Sequence, residues 1–301
     1  MRILHIDTGR EMRGGQIQVL LLLAGLQEAG HGCLLLARAR APLWDAARDA
    51  GISVFPAGPT ELWLRSKRVD LIHVHDAHAH TMAALTSRRP FVVSRRVAFP
   101  VKHSFPSQWK YRRARRFLAV SKFVAQELER ANVPREKIDV VYDGVEARQQ
   151  TANWNGSNPV VALASSDPRK GKLLVEQAAH IAGFPVVYSN DLPRDLMNAS
   201  MFVYITQSEG LGSAALLAMS LGVPVIASRV GGLAEVFEDG VSGLYVNNDA
   251  DEVARAMRTL RENPALAATL IAGGRERVSS MFSKERLISG TIDFYARALG
   301  S

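Results

Sequence analysis

The chain has 301 residues and a single cysteine, Cys33, so neither a disulfide framework nor a cysteine-based metal site can form within it. That usage points to a reducing cytoplasm. No apolar run approaches the roughly 20 residues needed to cross a bilayer. The opening stretch, MRILHIDTGR, has one early arginine and too short an apolar run for a signal peptide, and it reads as a first β-strand. The glycine-rich turn that follows lacks the G-x-G-x-x-G spacing, which removes the dinucleotide fingerprint. Acidic residues are also missing locally. From Ala77 to Gln126 there is no Asp or Glu, while Arg88, Arg89, Arg95, Arg96, Lys102, Lys110, Arg112, Arg113, Arg115, Arg116 and Lys122 all fall there. With a net charge of +8, a local field of one sign implies an anionic partner. Nucleic acid, anionic lipid and a phosphorylated substrate all satisfy that field. No groove-reading motif accompanies it, so the residues do not favour nucleic acid.

What is present is an alternation of short apolar runs and helical patterns. RILHI, CLLLA, ISVFP, DLIHVH, PFVVS, FLAVS and IDVVYDG read as strands, separated by segments such as IQVLLLLAGLQEAG and KFVAQELERAN. Strands that are continuously apolar and separated by helices belong in a parallel sheet covered on both faces. The grammar repeats with VVALAS, PVVYS, MFVYIT, PVIAS and SGLYV. The fold class is therefore α/β, with two doubly wound, Rossmann-like parallel-sheet domains facing a cleft. The polar stretch DGVEARQQTANWNGSNP marks the seam, giving domains over 1–150 and 151–282, with a last helix over 283–301 packing back on the first.

Ligands of open α/β sheets bind beyond the carboxyl ends of the strands. In SEGLGSAALLAMSLGVPVIAS, Gly210 and Gly212 allow a tight turn, and the amides of Gly212, Ser213 and Ala214 open a helix, a ready phosphate site. Glu209 fits there as an acceptor of hydrogen bonds from hydroxyls such as those of a sugar, or as a cap of the loop amides. Arg169 and Lys170, in SSDPRKGK, end the first strand of the second domain, where a lysine can reach a diphosphate or simply begin a helix. Gly14 and Gly15 stand at the first βα turn and can bring a phosphate or hydroxyl near the backbone. Four histidines, His73, His75, His78 and His80, fall in DLIHVHDAHAH. His73 and His75 share one face, the other two follow the strand, and no carboxylate beyond Asp76 is near. A single His75 or His78 lining the cleft as a polar or acid/base group is favoured over a metal site. In SQWKYRRARRF, helical spacing puts Tyr111, Ala114 and Leu118 on one face and Arg112, Arg113 and Arg116 on another beside Trp109, a pattern for a membrane surface or an anionic ligand. Asp249 and Asp251 mimic a metal-binding D-x-D, but Asp249 reads better as a helix N-cap.

These stretches together resemble the GT-B glycosyltransferases, specifically the large retaining group 1 (family 4). GGQIQVLLLLAGLQEAGH, FLAVSKFVAQELERANVPREKIDVVYDGV, PRKGKLLVEQA, SEGLGSAALLAMSLGVPVIASRVGGLAEVFEDGVSGLYV and FSKERLISGTIDFYARAL occur in the family's order. The resemblance implies a nucleotide-sugar donor (UDP-, GDP- or ADP-linked) in the second domain, an acceptor in the first, and neither catalytic metal nor cofactor. It casts Glu209, Lys170, Arg96 and His75 as catalytic, with Gly14, Gly15, Arg169, Gly210, Leu211, Gly212, Ser213, Ala214, Leu217, Arg95 and His78 around the substrates. The departures are specific. Leu217 stands where the family keeps a second glutamate for the donor ribose, and Ala164 where it keeps an arginine partner for Lys170. Arg96 replaces an acceptor-side histidine, and Arg95 or Arg96 would supply the missing cation. The stretch between the KGKLLVEQA helix and Glu209 is short, which implies a trimmed donor domain. The implied activity is hexose transfer from a nucleotide-diphosphate sugar to a lipid-linked or phosphorylated envelope glycan, such as a lipopolysaccharide core, at the inner face of the membrane. The alternative is a relative that has lost turnover and acts as a binding or regulatory partner.

Overall fold

The computed structural model describes residues 1–102, 104–146 and 151–300. The chain divides into two compact units, Met1–Gly144 with Lys284–Ser301, and Val145–Ser283. The boundary read at residue 150 lies outside the described residues.

The first unit carries seven strands: β1 (Arg2–Asp7), β2 (Gly32–Ala37), β3 (Ser53–Pro56), β4 (Leu71–Val74), β5 (Phe91–Arg95), β6 (Arg116–Ala119) and β7 (Ile138–Val140). Between them run α1 (Gly14–Glu28), α2 (Pro42–Asp49), α3 (Pro59–Ser66), α4 (Ala77–Thr86), α5 (Phe105–Arg113) and α6 (Lys122–Arg130). The sheet is parallel, in the order β3-β2-β1-β4-β5-β6-β7. Its direction of growth reverses between β1 and β4, which makes the carboxyl ends of those two strands the topological switch point.

The chain returns to this unit at its end. Helix α12 (Lys284–Leu299) packs on α1, where Ile288 fills the space a Cβ on Gly25 would need. Leu287, Ile288, Phe294, Tyr295 and Ala298 join Val19, Leu22, Leu23 and Leu26 in one core. Burying each of the larger side chains contributes on the order of 1.5–3 kcal/mol, so α12 is an integral part of the unit.

The second unit holds β8 (Val160–Leu163), β9 (Val186–Ser189), β10 (Met201–Tyr204), β11 (Val225–Ser228) and β12 (Leu244–Val246), with α7 (Lys172–Ala182), α8 (Leu192–Leu196), α9 (Ser213–Ser220), α10 (Ala250–Glu262) and α11 (Pro264–Met281). Its sheet is also parallel, in the order β12-β11-β10-β8-β9, and its switch point lies between β8 and β10. Asp249 caps α10 through the amide of Glu252 at 2.9 Å.

One helical expectation fails. The run through Arg116 and Leu118 is not helical: α5 stops at Arg113, Ala114 is extended (ψ 135), and β6 begins at Arg116. Phe117, Leu118 and Ala119 are buried as the β6 strand, and burying them in the sheet outweighs helical spacing.

Candidate functional site

The second unit brings Lys170 and Glu209 together at its switch point. Asp167 opens a short turn over Pro168–Lys170 by accepting from the Arg169 amide at 3.0 Å. Gly171 then takes a left-handed backbone (φ +65), and a Cβ there would lie 2.8 Å from the Ile205 carbonyl oxygen. Only glycine meets both conditions. The Arg169 carbonyl accepts from the Gln207 amide at 2.9 Å, which ties this turn to the loop leaving β10. As a result Lys170 Nζ donates to Glu209 Oε2 at 2.7 Å. Tyr204, the last residue of β10, donates its hydroxyl to the same oxygen, and the Gly210 amide donates to Oε1 at 3.1 Å. Burial, then the adjacent Glu209 carboxylate, hold the Tyr204 phenol well above its usual range, so it stays a proton donor to that carboxylate.

Beyond Glu209 the chain turns through Gly212 (φ +108), where a Cβ would meet Leu233 Cδ1 at 2.7 Å. Helix α9 starts there without a side-chain cap, and the amides of Gly212, Ser213 and Ala214 have no acceptor among the described residues. A lysine, a carboxylate and a row of unused amides thus share the carboxyl end of a parallel sheet. That set can hold an anion and orient hydroxyls at the same time.

Three expected contacts fare differently. Leu211 is buried in the core (2 % exposed), so its side chain offers no surface to a substrate. Arg169 is ion-paired with Asp167 at 2.7 Å and stands as a neutralised pair. Leu217 is half-buried on α9 and gives an apolar surface where the resemblance implies a carboxylate. A shallow depression of about 590 Å³, lined in part by Trp154, Asn155 and Arg261, lies at the amino end of β8, opposite the end that carries the site.

In the first unit the β1–α1 turn is organised by Asp7. Its carboxylate accepts from the Gly9 amide at 2.8 Å and from the Gln16 side chain at 3.1 Å. Burial raises the Asp7 pKa above the usual carboxylate range. A Cβ on Gly9 would collide with Gln16 at 2.6 Å, whereas one on Gly15 meets nothing within 4 Å. Gly9 is therefore the glycine that local packing requires, and Gly15 faces open space at the first turn of α1, which begins at Gly14.

His75 and Arg96, expected to act on substrate, are interior. Arg96 pairs with Asp143 at 3.1 Å, both side chains being 10 % exposed or less. Its guanidinium also contacts His75 Nδ1 at 3.2 Å. Arginine only donates, so His75 Nδ1 accepts, and neutral His75 carries its proton on Nε2. That nitrogen meets His5 Nδ1 at 3.0 Å, which leaves the His5 Nε2 proton without a partner. His73 bonds Tyr295 of α12 and Ser94, each at 2.7 Å. Donor nitrogens of His5, His73 and His75 lie within 4.8 Å of one another. Yet the lone pairs of His5 and His75 are already used, and both ring nitrogens of His73 are engaged by Tyr295 and Ser94, so the trio is not a ligand set. Burial pushes His5 down to about 3 and holds His73 and His75 well below the ordinary histidine value, with Arg96 adding to the effect. The His73–Tyr295 bond ties α12 to the sheet, while Arg96 belongs to the separate His75–His5 chain as a committed cation.

Arg95 is structural as well. It donates to the Tyr111 hydroxyl at 2.8 Å and to the Phe99 carbonyl, fastening α5 and its preceding loop to β5. Arg116 pairs with Asp139 at 2.8 Å within the sheet and so leaves the expected basic face. The residues that do form that face are on α4 and α5. Phe105 (79 %), Leu85 (67 %) and Trp109 (37 %) are exposed on these two helices, as are Arg112 and Arg113, and Arg113 lies over the Trp109 ring. His78 is exposed in the first turn of α4, where its amide donates to Asp76.

Tyr204, His5, Asp143 and Asp7 were not singled out in the sequence. Each carries a polar atom inside or beside an apolar strand, where only spatial neighbours reveal a role. His5 alone offered a signal, since it alternates with Ile3 and Leu4 in RILHI much as His73 does in DLIHVH.

A sequence model described as Glycosyltransferase Family 4 matches residues 12–149, and one described as Glycosyl transferases group 1 matches residues 132–263. The D-inositol 3-phosphate glycosyltransferase of Nocardioides sp. is 37 % identical over 115 residues, covering 38 % of this chain and 25 % of that protein. The match thus spans about a quarter of that relative's length. The uncharacterized glycosyltransferase MJ1178 of Methanocaldococcus jannaschii is 26 % identical over 272 residues, 77 % of this chain and 76 % of that one. The crystal structure of Anabaena Alr3699/HepE in complex with UDP and glucose superposes with a TM-score of 0.85 at 17 % identity, covering 99 % of this chain and 100 % of that one. At that identity the likeness establishes the fold.

Proposed function

The fold is that of GT-B glycosyltransferases, and the two halves of the chain match the family 4 and group 1 glycosyltransferase models; from that premise we propose that it transfers a hexose from a nucleotide-diphosphate sugar to a phosphorylated or lipid-linked envelope glycan, with retention at the anomeric carbon. The observation that carries this reading is the Lys170–Glu209 contact at 2.7 Å, at the carboxyl ends of β8 and β10. In the free protein Glu209 occupies the Lys170 ammonium. A bound diphosphate offers that ammonium more charge, and the unpartnered amides at the start of α9 face the same anion. Glu209, still held by Tyr204 and Gly210, then accepts hydrogen bonds from donor sugar hydroxyls.

A retaining transfer without a covalent intermediate needs no protein nucleophile. The donor phosphate takes the acceptor proton as the new glycosidic bond forms on the face the diphosphate leaves, and Lys170 with the helix amides stabilises the departing diphosphate. Neither Arg95 nor Arg96 is a spare cation for that task, because each is committed inside the first unit. Lys170 therefore carries the charge stabilisation without those two arginines.

The acceptor belongs to the first unit. Its exposed face of Phe105, Leu85 and Trp109 with Arg112 and Arg113 suits the anionic inner surface of a membrane, where aromatic rings seat at the headgroup level. No described helix is long and apolar enough to cross that membrane. The test is release of free nucleoside diphosphate from UDP-, GDP- and ADP-hexoses. Release from one of them is the expected result. No release from any, with or without acceptor, overturns the reading in favour of a relative that binds without turnover.

A further inference from the structure

We propose that the cavity at the β1/β4 switch point of the first unit is a phosphoryl-binding pocket, in which Arg10 and Arg38 grip the phosphomonoester of a sugar acceptor. The inference rests on the acceptor half of the proposed function and gives that acceptor its anchoring group.

The cavity measures about 360 Å³ and is lined by Thr8, Arg10, Arg38, Ala57 and His78. Those residues come from the carboxyl ends of four adjacent strands. Thr8 and Arg10 follow β1, Arg38 follows β2, Ala57 follows β3, and His78 lies in the first turn of α4 after β4. This is the crevice where an open α/β sheet binds its ligand, and the volume is that of a small-molecule site.

The charged residues that line it are both basic, and neither the Arg10 nor the Arg38 side chain has a hydrogen-bond or ion-pair partner among the described residues. That sets them apart from Arg95, Arg96, Arg113 and Arg116, which are all engaged. Asp76 is beside the cavity but is fully occupied. It accepts from the Thr8 amide and hydroxyl and from the amides of His78 and Ala79. In doing so it fixes the end of β1 against the start of α4 and holds the wall of the pocket in shape. The β2–α2 turn that presents Arg38 is closed by a left-handed Arg40 (φ 60) and by an Ala41 amide bonded to the Arg38 carbonyl.

Two unpaired guanidiniums with a histidine beside them match a dianionic phosphomonoester, since each planar fork can take two phosphate oxygens. The Thr8 hydroxyl donates its hydrogen bond to Asp76, so its oxygen is left to accept from a ligand hydroxyl. A phosphate joined to a polyol satisfies both halves.

The experiment is calorimetric titration of the full chain, without donor, using glucose 6-phosphate, glucose and inorganic phosphate. A second arm offers the same phosphomonoester on a lipid, as vesicles containing phosphatidic acid in phosphatidylcholine. We expect one of the two phosphomonoester sources to bind and glucose to fail. Arg10→Ala and Arg38→Ala should each weaken binding by roughly tenfold or more. Both side chains are exposed, so an unchanged Tm checks that the variants fold, and Arg38→Glu should abolish binding outright. The proposal falls if no source binds, if Arg10→Ala/Arg38→Ala binds as wild type, or if Lys170→Met removes the binding, which would put the ion in the second unit. Arginine-dependent binding in a protein that releases no nucleoside diphosphate would leave the pocket standing while the transferase reading fails. Loss of the pocket in an active enzyme would do the reverse.

Discussion

Replacing Lys170 by methionine separates two contributions that the structure superimposes on one side chain. In the free protein its ammonium donates to Glu209 at 2.7 Å, with the two side chains 30 % and 18 % exposed. Methionine keeps most of the apolar stem and removes the charge. Glu209 then retains Tyr204 and Gly210 as donors but loses its counter-ion, a loss of ~1–2 kcal/mol for a partly buried charged hydrogen bond. At roughly 2–4 °C per kcal/mol, Tm should fall by about 2–8 °C. Turnover should suffer far more. Removing one preorganised donor from a site where charge develops costs about 10²–10³ in rate, or ~2.7–4 kcal/mol. Neither position expected to assist Lys170 supplies a free cation: Arg169 is held by Asp167 and Ala164 has no charge. Lys170→Met/Glu209→Gln separates the effects: neutralising the carboxylate should restore most of the Tm and none of the kcat. The assay is steady-state release of nucleoside diphosphate alongside thermal melting. A Lys170→Met enzyme with kcat/KM within about threefold of wild type would refute the reasoning, because the expected loss is tens of times larger.

Three further outcomes follow from the same geometry. Gly212→Ala forces a side chain onto a backbone at φ +108 with Leu233 at 2.7 Å, and should cost at least ~1–2 kcal/mol and weaken donor binding; an unchanged denaturation midpoint would contradict the account. Acidification should loosen the first unit. His5, His73 and His75 are lowered by burial, so their neutral forms are favoured in the fold; stability is full above the unfolded value near 6.5 and is lost as pH falls toward the folded values, by up to ~1.4 kcal/mol per pH unit per histidine. Urea midpoints that stay flat from about pH 7.5 to pH 5 would show that the trio is not held neutral. Leu217→Glu, at a half-buried position on α9, should lower the donor KM by roughly tenfold if that position faces the ribose; an unchanged KM would mean the face of α9 near Leu217 does not meet the donor.

The sequence carried the architecture well because continuous apolar runs such as LIHV and MFVY have one stable setting, a parallel sheet covered on both faces. It also carried the pair at the second switch point. Lys170 precedes a glycine that must be left-handed, and Glu209 precedes a glycine turn, so both turns had local signatures. The first unit was harder to read. Arg96 and His75 look like cleft residues when only their places after strands are known. Asp143 lies 47 residues beyond Arg96, and His5 lies 70 before His75, so no local window contains the partners that bury them. Arg116 was misplaced because helical spacing through Leu118 competes with burial of Phe117 and Leu118 as strand, and the sheet prevails. Arg10 and Arg38 carried no signal at all, since their meaning comes from four strand ends gathered by the topology.

The most direct test of the central claim is a thermal-shift titration of the wild-type chain with UDP-, GDP- and ADP-hexoses. The account predicts that one base is selected, and that its nucleotide sugar raises Tm by adding RT ln(1 + [L]/Kd) of stability, about 2.7 kcal/mol at a hundredfold excess over Kd. A fold that none of the three stabilises would contradict the placement of a nucleotide-sugar donor beside Lys170 and Glu209.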